Sequence, residues 1–125
     1  MSLSRELGVD RRVRFLVDRP MDTVYMVLGR STAFIHVRPY EPFGIVVAEA
    51  MAASAVPIVH RSGGTWIDLV RMGRYSVGFV DEEEAALGIC KSVGLARELG
   101  GRFVERAREF SYEVFKERVR NISRD

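Results

Sequence analysis

The chain has 125 residues, 47% hydrophobic and 29% charged, which is enough for one apolar core. Its 19 Lys and Arg oppose 17 Asp and Glu for a formal charge of +2, with no concentrated basic tract, which argues against a nucleic-acid partner. The single cysteine, Cys90, builds neither a disulfide framework nor a cysteine metal site, and a reducing, cytoplasmic setting is expected.

In chain order, the opening MSLSRELGVDRR lacks the apolar centre of a targeting signal, and nowhere does an apolar run approach the roughly 18 residues of a membrane span. Four short stretches rich in β-branched and aromatic residues, bounded by Pro, Gly or charges, read as strands: Val13 to Val17, Ala33 to Val37, Val56 to His60 and Ser76 to Val80. Helix candidates alternate with them at Met21 to Gly29, Gly44 to Ser54, Thr65 to Met72 and Glu82 to Val93. Strict alternation predicts βαβ units, hence an α/β, Rossmann-like parallel sheet with flanking helices in one domain spanning 1–125. Asp81 before Glu82, Glu83 and Glu84 is a helix cap with three carboxylates in the first turn, a better account of that acidic run than a metal site. A helical segment is expected over about 95–122, restarting near Ser111. Phe103, Ala107, Phe110, Val114 and Phe115 form its apolar stripe, and the mixed-charge polar face points to packing on a domain rather than on a membrane surface.

The segment EPFGIVVAEAMAAS, Glu41 to Ser54, is apolar from Ile45 to Ala53 except for Glu49 and predicts a helix buried on nearly all sides. A carboxylate in such a helix is unfavourable unless bonded, so Glu49 either pairs with an Arg or faces a cavity for a polar ligand. If the helix begins near Phe43, the amides of Phe43, Gly44 and Ile45 make an anion site, and Gly44 lets a phosphate approach the main chain. Glu49 lies on the face of Ile45, about 6 Å further along the axis, where a carboxylate accepts both hydroxyls of a ribose. Glu41 then lies on the far side of the phosphates, with Arg38 as a structural alternative partner. Several polar residues have two readings. His36 reads first as a satisfied core histidine. His60, at the carboxyl edge of the sheet, is either structural or ligand-binding. Ser62-Gly63-Gly64-Thr65 is either a phosphate cradle or a tight turn with Thr65 as helix cap. Ser54 carries strain if its φ is positive. Trp66 reads as an apolar anchor and Cys90 as buried and inert.

This segment, followed by a strand and then Ser62-Gly63-Gly64, resembles the C-terminal half of the retaining family 4 (group 1) glycosyltransferases of the GT-B fold. Their pattern E-x-F-G-(apolar)3-x-E-A-M-A-A-G places two glutamates where Glu41 and Glu49 stand here, with Ser54 in place of the usual Gly. LSRELGVDRRVRFLV, TAFIHVRPYE, IVHRSGGTWIDLV, YSVGFV and AREFSYEVFKERV follow in the family's order, so the resemblance covers essentially the whole chain. His36, and His60 ahead of Ser62-Gly63-Gly64, are similar to the branch that transfers mannose from GDP-mannose to lipid-linked oligosaccharide.

The resemblance implies the nucleotide-sugar-binding half of a hexosyltransferase acting on a glycan, lipid or small-molecule acceptor. Glu41 is implied as the catalytic glutamate beside the donor sugar. Phe43, Gly44 and Ile45 are implied to meet the phosphates, Glu49 the ribose, and Leu16, Val17 and Asp18 the base. No metal or cofactor is implied beyond the substrate, a GDP-, UDP- or ADP-sugar. Nothing before Val13 supplies the family's diphosphate-binding Arg and Lys, and its first strands and acceptor domain have no counterpart here. The expectation is therefore an incomplete GT-B half working with an N-terminal acceptor-domain partner, its exposed sheet edge promoting that pairing or a homo-oligomer. A nucleotide-sugar-binding or regulatory module without turnover is the second reading. An unrelated doubly wound domain is the third.

Overall fold

Three short strands pair in parallel in the order β1 (Ala33–His36), β2 (Val56–His60), β3 (Val77–Phe79) in the computed structural model, which describes residues 2–123. Five α-helices accompany them: α1 (Ser2–Glu6), α2 (Met21–Gly29), α3 (Ile45–Ala52), α4 (Glu82–Arg108) and α5 (Tyr112–Ser123). A 3-10 turn spans Asp10–Arg12 and a single π-helical turn spans Thr65–Leu69. The expected α/β, Rossmann-like parallel sheet with flanking helices is what forms.

Central β2 carries Pro57, which lacks an N–H. In a parallel ladder, successive residues bond to opposite sides. Val56 donates to the Thr32 carbonyl on the β1 side at 2.9 Å, so the amide position of Pro57 faces β3. Pairing with β3 begins only at Ile58, opposite Val77, and no bond is lost. The main core joins Val47 and Met51 of α3, Val56 and Val59 of β2, Leu69 at the end of the π-turn and Val70 after it, and Phe103 of α4.

Helix α3 begins at Ile45, with Gly44 as its N-cap at φ 87°, not at Phe43. Nor is it buried on nearly all sides. Val47, Ala50 and Met51 face inward, whereas Ile45 is 72% exposed. At its other end Ser54 N–H donates to Met51 O and Ala55 N–H to Ala50 O, both at 3.0 Å. This is a Schellman ending, whose left-handed position is Ser54 at φ 68°.

Helix α4 runs unbroken for 27 residues, rather than ending near Val93 with a separate segment from 95. The Asp81 carboxylate accepts the Glu84 N–H at 2.9 Å, as the acidic run predicts for a helix start. Near the far end Arg106 is buried, donating to the carbonyl oxygens of Leu69 (2.9 Å) and Asp68 (2.6 Å) and pairing with Glu109. Its guanidinium lies 4.6 Å from the Phe110 ring centre and 5.3 Å from that of Tyr75. The unsatisfied carbonyls at the end of the π-turn thus find their donor on α4.

Other sequence expectations are corrected. Val13 to Val17 takes no regular secondary structure and pairs with no strand among the described residues, and Val13, Phe15, Leu16 and Val17 are exposed. β-propensity without a neighbouring ladder does not make a strand. The Thr65 to Met72 helix shrinks to the π-turn because Arg71, Met72 and Gly73 take positive φ. The stripe from Phe103 to Phe115 divides: Phe103 is 2% exposed and Phe115 63%, and no described residue of α5 is buried. The Ser111 restart does occur, its hydroxyl accepting the Val114 N–H at 3.3 Å. Cys90 is exposed, not buried. Among the described residues, no helix is long and apolar enough to cross a membrane.

Because Ser54 occupies a left-handed position that glycine adopts without strain, Ser54→Gly is expected to stabilise the fold by about 1 kcal/mol in denaturant unfolding.

Candidate functional site

The loops after β1 and β2 meet at the carboxyl edge of the sheet. Their contact is made by main chain. A Cβ on Gly64 would fall 1.6 Å from the Pro42 carbonyl oxygen, and one on Gly63 would lie 2.6 Å from that of Glu41. The Ser62 hydroxyl bonds both Tyr40 N–H and His60 Nδ1 at 2.7 Å, holding Tyr40 at φ 55°. Thr65 N–H donates to Glu41 O at 3.2 Å, and the Thr65 hydroxyl donates to Phe43 O at 2.7 Å.

Ser62-Gly63-Gly64-Thr65 thereby has a packing role that neither reading gave it. The glycines are required by a neighbouring backbone. Thr65 is not a helix cap, since Gly64 precedes the π-turn and the Thr65 hydroxyl serves the Glu41–Phe43 loop. Gly44 is buried by the same residue: a Cβ there would meet Thr65 Oγ1 at 2.7 Å. The space on the Cα side of Gly44 is thus taken up by Thr65. The start of α3, where Ile45 is exposed and Val46 half-buried, keeps first-turn amides without intrahelical acceptors.

Glu41, 20% exposed at its side chain, receives two neighbours on one oxygen. His36 Nε2 lies 3.3 Å and Arg38 Nη1 3.6 Å from Oε2, while Oε1 has no partner among the described residues. The Arg38 alternative is therefore realised in the geometry. His36 is a satisfied histidine, as expected, but its partner is Glu41, and its ring stacks on Phe34 at 6.2 Å. Position could have revealed that partner, because His36 is the last residue of β1, at the edge where loop residues converge.

Glu49 is half-buried on α3 and forms no ion pair among the described residues. Its one bond is to the Tyr25 hydroxyl of α2, which lies 3.4 Å from Oε1. On one side Glu49 borders a cleft with Tyr25, Leu28, Ala52 and Ala53. On the other it borders one with Phe43, Ile45, Ala48, Arg108, Phe110 and Ser111. Glu49, Phe43 and Ile45 thus share a cleft. Leu16 and Asp18 line a different cleft, against Thr23, Val24 and Val27 of α2, and the structure does not bring them to Glu49; Val17 is simply exposed. The Tyr25 contact had no sequence signal, since it joins residues 24 apart on different helices.

A sequence model of the family described as Glycosyl transferases group 1 matches residues 2–110. The chain belongs to the group 1 glycosyltransferases. Over 83 residues it is 37% identical to the human GDP-Man:Man(3)GlcNAc(2)-PP-Dol alpha-1,2-mannosyltransferase, a stretch covering 66% of this chain and 17% of that protein. The Neurospora crassa protein of the same name is 31% identical over 121 residues, 93% of this chain and 22% of its own length. The D-inositol 3-phosphate glycosyltransferase of Corynebacterium efficiens is 42% identical over 64 residues, 50% of this chain and 15% of its own length. This group 1 glycosyltransferase chain therefore spans about a fifth or less of each of these relatives.

The contact between the two loops allows no added methyl group. Gly64→Ala is expected to lower stability by more than about 2 kcal/mol in thermal or denaturant unfolding, whereas Ala86→Gly, on the exposed side of α4, is expected to lower it by about 1 kcal/mol.

Proposed function

We propose that the chain is the donor-binding half of a retaining glycosyltransferase of the GT-B type, moving a hexose from a nucleotide sugar to an acceptor with an N-terminal acceptor domain as its partner. The observation that carries this reading is Glu49: a carboxylate on an otherwise apolar helix, in no ion pair among the described residues, and open to clefts on both sides, one of which Arg108 also lines. An internal ion pair would have explained the residue. Without one, a polar guest is the better account.

In this reading the donor phosphates lie at the start of α3, where the free amides of Ile45 and Val46 and the helix dipole favour negative charge. One turn on, Glu49 accepts the ribose hydroxyls. Glu41 lies before the helix with Oε1 free, placed to accept from a hydroxyl of the donor sugar, while His36 and Arg38 hold Oε2. Arg38 also brings positive charge to the edge where the diphosphate departs. Leu16 and Asp18, in their separate cleft, reach the base only if the segment from Val13 to Asp18 moves toward Glu49.

Glycosyl transfer is common to the names of the relatives, whereas their acceptors differ. Because GDP-Man appears in several of those names, GDP is the first nucleotide to test. Calorimetric titration of GDP, UDP and ADP should detect binding, strongest for GDP, with about tenfold or greater weakening in Glu49→Ala, as expected for lost hydrogen bonds to a charged group. Absence of binding by all three, or equal affinity in the variant, would refute the assignment.

A further inference from the structure

Tyr25 is the one side chain bonded to the Glu49 carboxylate among the described residues. It extends from α2 across to α3, and its ring forms the wall of the Glu49 cleft with Leu28, Ala52 and Ala53. The ring is 49% exposed and the bond is 3.4 Å long, so the contact adds little to the stability of the fold. It does restrict where the carboxylate points.

We infer that Tyr25 is a positioning residue for ribose recognition, its hydroxyl holding Glu49 in place to accept the 2′- and 3′-hydroxyls of a nucleotide; this rests on the donor-site reading above. A carboxylate has about four lone-pair positions, and a phenol occupies one of them. Two ribose hydroxyls can still be accepted. A free glutamate loses rotamer entropy when a ligand fixes it, whereas one already restrained by a rigid aromatic side chain loses less. Among the described residues no cation pairs with the same oxygens, so the phenol is the one side chain that shares the carboxylate with the guest.

The test compares GDP, UDP and ADP with their 2′,3′-dideoxy forms by calorimetry on the wild type, Tyr25→Phe, Glu49→Gln and the double variant. Phe keeps the cleft wall and removes only the hydroxyl. Tyr25→Phe is expected to weaken the ribose forms about three- to tenfold and to leave the dideoxy forms unchanged, while the double variant binds no worse than Glu49→Gln. Equal weakening of both sugar forms, no weakening, or additive losses in the double variant would each overturn the inference. If Glu49→Gln weakens the ribose forms and Tyr25→Phe does not, the inference fails and the donor-site reading stands. If Glu49→Gln binds like the wild type, or no diphosphate binds, both fail.

Discussion

The geometry of this edge depends on main chain meeting main chain without a side chain between. Gly63 and Gly64 bring the loop after β2 against Tyr40, Glu41 and Pro42 so closely that any Cβ would collide with a carbonyl. Thr65 then fastens Glu41 and Phe43 from the same side. Glu41 and the first turn of α3 are placed by these backbone contacts more than by ion pairs. Arg38 is 72% exposed, and such a pair is weak in water. Backbone contacts are also less sensitive to salt, which suits a site that must receive a charged guest.

Much of the fold was legible because local composition and tertiary demand agreed. The strands from Ala33, Val56 and Ser76 are short, β-branched and bounded by breakers, and all three form with ends within a residue or two. The start of α4 was legible because Asp81 caps it chemically. Illegible features depended on distant partners. Val13 to Val17 has strand composition but no ladder to join. The helix expected to end near Val93 continues through Gly94, because Leu95, Leu99 and Phe103 pack on the core and carry α4 onward. At the site, Glu41 and Glu49 stood out against apolar neighbours. Their contacts to His36 and Tyr25 did not, because the contact with Tyr25 depends on how α2 lies against α3, and that with His36 on how the loop after β1 folds back.

The match to the family model and the packed part of the chain end together. That match stops at residue 110, and Phe110 is the last residue packed against the main core, its ring edge-on to Phe43 at 5.1 Å. Beyond it, α5 turns Tyr112, Phe115, Val119 and Ile122 to solvent at intervals of three and four. Its helical form owes more to local capping by Ser111 than to burial.

Arg106 shows why arginine and lysine are not exchangeable in this chain, whatever their shared charge. One planar fork reaches the carbonyls of Asp68 and Leu69 while its faces lie near the rings of Tyr75 and Phe110. An ammonium could satisfy part of that set but could not stack as a plane. Divergent copies of this domain can therefore vary freely in their outward cations, whereas position 106 tolerates change only if the π-turn beneath it is rebuilt at the same time.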